Sequence, residues 1–201
     1  SILTIGWNIR GMFDNLGQAM QQSAFQVASI ITTTGYATTD FNLWPETSRS
    51  ILVLLMFVGA CAGSTGGGMK VSRLVILLKT VKKELSQSLH PGRVAKIRMD
   101  GKVVEHETIR SINVFMVAYL LIFSLSVLAL SFDGTDMITN FTAVAATFTN
   151  IGPGLEQAGP ATNFAMFSNV SKLVMTFDML AGRLEIFPVL LLFVRDTWRK
   201  F

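Results

Sequence analysis

Val27–Ala37 reads VASIITTTGYA, and Val144–Gly154 reads VAATFTNIGPG. Laid together, Gly35 falls on Gly152, Val27-Ala28 on Val144-Ala145 and Thr32 on Thr149, all at an offset of 117 residues. Each stretch closes a helical pattern, steps through threonine, reaches a glycine and turns. The segments leading into them, Asn15–Ile31 and Thr135–Phe148, space apolar residues at helical intervals among polar neighbours such as Gln18, Gln21, Gln22 and Ser23. Both are too short or too polar to span a bilayer, so each reads as a re-entrant helix that enters and returns. With two residues of slack the match continues, setting Ala62-Gly63 on Ala181-Gly182. An internal repeat of this kind points to symmetry about a pathway.

Composition agrees with a membrane setting. Of 201 residues, 50% are hydrophobic and 15% charged, against about 25% charged in a soluble domain. The mean hydropathy is +0.48. Residues 51–78, ILVLLMFVGACAGSTGGGMKVSRLVILL, set two apolar halves about a glycine-rich break. Together they are long enough for a bilayer core of about 30 Å. A break at membrane depth is tolerated only where protein or a water-filled cavity surrounds it. Ile112–Phe132 is an uninterrupted second span. A third runs from Phe164 to Val194 and carries Lys172, Asp178, Arg183 and Glu185. Ten of the 17 Lys and Arg lie between Lys70 and Arg110, and Arg195, Arg199 and Lys200 form a second basic group. Asp40, Glu46, Asp133, Asp136 and Glu156 occupy the other set of loops. The positive-inside rule therefore puts the basic linker and the C-terminus in the cytoplasm. Within the linker, MDGK at Met99–Lys102 fits a short hairpin. Cys61 is the single cysteine, so no internal disulfide is possible. With no starting methionine and no signal peptide, the chain is expected to begin inside a larger protein.

Thr32-Thr33-Thr34-Gly35-Tyr36-Ala37 carries the chemistry. A potassium filter replaces the ion's water with backbone carbonyls. Turning successive carbonyls to one side needs a glycine that accepts unusual angles. A helix whose C-terminal end faces the cation adds a favourable dipole. The second copy, Thr149-Asn150-Ile151-Gly152-Pro153-Gly154, keeps the glycine and replaces Tyr by Pro. The run Gly63-Ser64-Thr65-Gly66-Gly67-Gly68 is not a phosphate loop. Lys70 follows Met69, no Ser or Thr follows Lys70, and no strand precedes. It reads either as a kink with close helix packing or as a flexible intramembrane loop that blocks and opens a pore. Arg183, an intramembrane charge, either projects into the pathway and repels cations or pairs with Asp178 or Glu185. Lys172 suits a snorkelling side chain, and His90 and His106 lack metal-ligand spacing. No nucleophile–base pair, GxSxG or HExxH is present, so no enzyme is expected.

Three segments, FQVASIITTTGYATTDFNLWP (25–45), GACAGSTGGGMKVSR (59–73) and MLAGRLEIFP (179–188), resemble the membrane subunit of the bacterial Trk potassium-uptake system. The wider superfamily includes the Ktr subunits and the plant HKT transporters, and GRLEIFP favours Trk over Ktr. The resemblance covers essentially the whole chain. It implies an all-α integral membrane fold of tandem helix–pore helix–filter loop–helix repeats, like a potassium channel, with four repeats around one pore. This chain matches the third and fourth. Residues 1–80 correspond to the third repeat, its first helix mostly missing, 81–107 to a basic cytoplasmic linker, and 108–201 to the fourth.

The resemblance also implies roles for residues. The carbonyls that hold K+ fall on Thr33, Thr34, Asn150 and Ile151, beside Gly35 and Gly152, with Tyr36 and Pro153 completing the two filter segments. The gate falls on Gly63, Ser64, Thr65, Gly66, Gly67 and Gly68, with Arg183 below the second filter. The implied function is potassium uptake across the bacterial inner membrane. A non-conducting accessory subunit and a sodium-permeable relative are the alternatives. Serine in place of filter glycine marks sodium selectivity in plant members, so Gly35 and Gly152 favour potassium. Proton symport is asserted for some family members, and no proton carrier is evident here. The implied partners are a second copy, forming a homodimer, and a cytosolic ring that binds NAD or ATP. The chain itself is expected to bind no cofactor and no nucleic acid.

Overall fold

The computed structural model describes residues 1–59, 67–90, 96–99, 101–184 and 186–193. Of the expected gate, Gly63, Ser64, Thr65 and Gly66 lie outside these residues. So do Cys61, Glu185 and the basic group Arg195, Arg199 and Lys200.

A short helix, α1 (Ile2–Asn8), packs along α2 (Leu16–Ile31). The Asn15 side chain accepts the Gln18 N–H at 2.8 Å, pairing one of the donors that every helix start leaves free. Helix α3 (Glu46–Phe57) follows Pro45, whose ring suits a helix start. The broken span expected over 51–78 is present. Val58 leaves the helix and bridges Met69, while the Gly59 N–H donates to the Met69 carbonyl at 2.8 Å. The chain thus comes back to the point where it left. Helix α4 (Val71–Leu89) then continues past residue 81, where the sequence suggested a linker. Lys82, Lys83, Glu84 and Gln87 are good helix formers, and nothing in that stretch breaks a helix. Strands β1 (Arg98–Met99) and β2 (Lys102–Val103) form the expected hairpin, with Gly101 at φ 78° in its turn.

Helix α5 (His106–Ser131) has 26 residues. Among the described residues it is the one helix long and apolar enough by itself to cross a membrane. It buries Phe115, Tyr119, Phe123, Ser126 and Leu130 on one stripe and exposes Val114, Val117, Leu121, Leu125 and Leu128 on the opposite one. An exposed aliphatic stripe of this length suits lipid. Helix α6 (Met137–Phe148) is enclosed instead: Thr142–Phe148 are all buried among α3, α5 and α7 (Asn169–Leu184). The third span starts later than the apolar pattern suggested. Asn163 caps a single turn at Phe164–Met166, and Phe167 is extended before α7 begins. Helix α8 (Ile186–Leu191) follows α7.

Aromatic rings lock the two halves together. Phe57 at the end of α3 meets Phe123 at 5.6 Å and Phe141 at 5.9 Å, and Tyr119 meets Phe148 edge-on at 4.6 Å. Such pairs contribute roughly 0.5–1.5 kcal/mol each beyond their area.

Asp136 starts α6. Its carboxylate accepts the Thr139 hydroxyl at 2.6 Å and the Thr139 N–H at 2.9 Å. These bonds, the hydroxyl's first, hold the Asp136 pKa below the usual carboxylate value. A depressed folded pKa means the stabilisation is complete above about pH 4 and is lost as pH falls through the folded value. Asp136→Ala is therefore expected to lower stability by about 1 kcal/mol at neutral pH. Thermal unfolding in detergent should show the difference between variant and wild type shrinking under strong acid.

Candidate functional site

Helices α2 and α6 are about 24 Å and 18 Å long at 1.5 Å per residue, too short to cross a bilayer core. Both end on a loop, and the two loops follow one backbone path. The Thr32 N–H donates to Ala28 O at 2.9 Å, and the Thr149 N–H to Ala145 O at 3.0 Å. Thr33 N–H to Ile30 O matches Asn150 N–H to Thr147 O, both 3.1 Å. Thr34 N–H to Ser29 O matches Ile151 N–H to Ala146 O, both 2.9 Å. The Thr32 and Thr149 hydroxyls return to the same carbonyls, at 2.7 and 2.6 Å. Every pair is related by the 117-residue offset.

These bonds use the amide hydrogens and leave the oxygens. Among the described residues, the carbonyls of Thr33, Thr34, Gly35, Asn150, Ile151 and Gly152 accept no hydrogen bond. Six carbonyls that accept no hydrogen bond among the described residues thus lie on two loops that approach each other. The backbone angles tell the same story. Thr33 and Asn150 sit at φ 55° and 56°, Gly35 and Gly152 at 76° and 115°. A branched residue such as Thr33 rarely takes positive φ, at a cost of about 1–2 kcal/mol. Left-handed residues at alternate positions swing the intervening peptide planes, which an ordinary strand would leave pointing to opposite sides.

The loops face each other. A Cβ built on Gly35 would collide with the Ile151 carbonyl oxygen, and one built on Gly152 would lie 4.0 Å from Gly35 Cα. Gly35 thus meets Ile151, Gly152 and Pro153 across the two loops. Tyr36 points away and is 73% exposed, though its carbonyl accepts the Ser29 hydroxyl at 2.7 Å. Pro153 Cδ lies near Gly35. A polar recess of about 220 Å³, lined by Ala37–Asp40, Pro160 and Ala161, adjoins the first loop.

The described end of the glycine run reaches this site. A Cβ on Gly67 would strike the Thr149 carbonyl oxygen and lie 2.7 Å from its carbonyl carbon. Gly67 therefore rests on the backbone where the second loop leaves α6. On the other side, the Asn150 side chain donates to Met179 O at 3.0 Å, tying that loop to α7. Arg183 is exposed and makes no ion pair among the described residues. Asp178, offered as its partner, instead accepts the Ser126 hydroxyl at 2.8 Å in a fully buried contact. Sequence reasoning passed over Ser126, whose place on the buried stripe of α5 was the available signal.

The TrkH family, described as cation transport protein, has a profile that matches residues 11–200. The chain belongs to the TrkH family. It is 37% identical over 199 residues to the Trk system potassium uptake protein TrkH of Salmonella typhimurium, covering 99% of this chain and 41% of that protein. It is 40% identical over 182 residues to TrkH of Vibrio parahaemolyticus, covering 90% and 37%. It is also 37% identical over 194 residues to the TrkG protein of Escherichia coli K12, covering 96% and 39%. The crystal structure of the potassium transporter TrkH from Vibrio parahaemolyticus superposes with a TM-score of 0.88 at 37% identity, over 98% of this chain and 42% of that one. The fold is the all-α membrane fold of the TrkH family. The chain spans about two fifths of the length of these relatives.

Because the Gly67 contact is backbone to backbone, Gly67→Ala in the full-length protein should lower stability by about 1–3 kcal/mol, as overpacking does. Gly11, with nothing within 4 Å of a Cβ, supplies the control: Gly11→Ala should leave the unfolding midpoint in detergent unchanged.

Proposed function

We propose that this chain lines half of a potassium-uptake pathway, in which K+ sheds water against the carbonyls of Thr33, Thr34, Asn150 and Ile151. The observation that carries the reading is the pairing pattern of the two loops: amides tied to their own helix ends, carbonyls free, the two glycines in close approach. Free carbonyls offer K+ an electrically neutral oxygen shell, which strips water without trapping the ion. Helices α2 and α6 each present a C-terminal end to the site, adding roughly half a negative charge apiece. The names of the relatives, potassium uptake proteins and a potassium transporter, point to the same ion.

In this reading the ion enters past Asp40, Glu46, Asp133, Asp136 and Glu156, crosses the loops, and meets the glycine-rich gate at Gly63–Gly68. Arg183 stands beyond the second loop as a positive charge that meters cations, and its lack of an ion pair among the described residues supports that role. The inside-negative potential of a bacterial inner membrane supplies about 2.3 kcal/mol per charge per 100 mV. The rest of the pathway, a second copy and a cytosolic nucleotide-binding ring belong to the same proposal, since the Trk system of the relatives is a system of parts.

Gly35→Ser in the full-length protein tests it. A side chain there meets Ile151 at a positive φ, so rubidium uptake and growth on limiting potassium should fall at least about tenfold, or sodium flux should appear. Unchanged uptake and selectivity at normal abundance would move the assignment to a non-conducting accessory subunit.

A further inference from the structure

Beyond the two glycines, polar side chains also stitch the two halves together. Asn42 Nδ2 donates to the Glu156 carbonyl at 3.0 Å, and the Glu156 N–H donates to Asn42 Oδ1 at 2.9 Å. The Asn42 amide thereby imitates a paired peptide and grips both backbone groups of a residue 114 positions away. The fit is close: a Cβ on Gly159 would strike the Asn42 side chain. Glu156 itself sits at φ 51°. Its carboxylate takes a second bond, from Arg49 Nη2. Arg49 is also 3.4 Å from Glu46, its side chain is only 13% exposed, and its Nε is buried without a partner. The Arg49 guanidinium is thus shared between Glu46 on its own helix and Glu156 from the other half, with Arg49 largely buried and Glu156 partly exposed.

Both ends of this joint are anchored close to the loops. Asn42 follows Gly35 by seven residues, and its own N–H is bonded to Asp40 Oδ1 at 3.0 Å. Glu156 follows Gly152 by four residues. The Leu155 and Gln157 N–H groups on either side of it bond the hydroxyls of Thr142 and Thr139 on α6. A displacement at the joint therefore reaches both loops through a few covalent links. Selectivity in a carbonyl cage depends on where the oxygens sit and how freely they move. We propose that Asn42, Arg49 and Glu156 form a clamp that sets the spacing of the two loops, and so act as positioning residues for ion selectivity. This rests on the pathway reading above.

The test uses full-length protein in vesicles, reading the rubidium-to-sodium uptake ratio, uptake per molecule and the unfolding midpoint. Asn42→Ala and Arg49→Glu should each lower the ratio by about fivefold, the size that coupled neighbours commonly show. Arg49→Glu combined with Glu156→Arg should restore it, which a merely structural loss would not do. If Asn42→Ala fails to reach the membrane, Arg49→Gln, at a partly exposed pair, carries the same expectation. Variants that change uptake only in step with protein abundance, at an unchanged ratio, would overturn the clamp, as would a charge swap that restores nothing. Gly35→Ser run alongside separates the two levels. A ratio altered by Gly35→Ser but not by the clamp variants rejects the clamp alone, and a ratio altered by none of them rejects the pathway reading.

Discussion

Each loop hangs from the end of its own helix by three matching backbone hydrogen bonds, and the rest of the structure holds those two helix ends side by side. The constraint is the pairing of backbone groups where water is scarce. Amide hydrogens that turn back to Ala28, Ser29 and Ile30, or to Ala145, Ala146 and Thr147, are satisfied locally. The carbonyls of Thr33, Thr34, Gly35, Asn150, Ile151 and Gly152 accept no hydrogen bond among the described residues. Positive φ at Thr33 and Asn150 is the backbone cost of that arrangement. It persists because α6 is enclosed on nearly every side and cannot relax outward.

The packing explains why so polar a path is stable in an apolar chain. Phe57, Phe123 and Phe141 join the end of α3 to α5 and α6, and Phe148 lies between Tyr119 and the start of the second loop. Gly67 and Gly182 let backbone rest on backbone just below, where any Cβ would collide with the Thr149 or Phe148 carbonyl. Around this centre the exposed aliphatic face of α5 suits lipid. The buried Ser126–Asp178 contact closes α5 on α7 behind Asn150. A side-chain hydrogen bond is favoured there because unpaired polar groups in the bilayer are costly.

Much of this was legible. The two loop sequences announced a shared backbone path because a glycine demand and a threonine step are local properties, visible without a fold. Asn15 and Thr135-Asp136 marked the helix starts to within a residue or two, since capping is equally local. The glycine break in 51–78 appeared where its sequence put it. The unreadable parts depend on distance. The extension of α4 through Leu89 was masked by its charge, which suggested a loop although Lys and Glu support helices well. Asp178 read only as one candidate partner for Arg183, and the facing stripe of α5 supplies Ser126 to it instead. Asn42 and Arg49 carried no signal, and Glu156 read as one acidic loop residue among several. A side chain that grips a backbone 114 residues away leaves no period or motif in the sequence.

In the proposed pathway, cations lose their water between these two loops. The most direct measurement is an anomalous-difference map of the full-length protein crystallised with thallium or rubidium. Density is expected between the carbonyls of Thr33 and Thr34 on one loop and Asn150 and Ile151 on the other. Density elsewhere in the membrane region, with none between the loops, in a protein that transports rubidium, would contradict it.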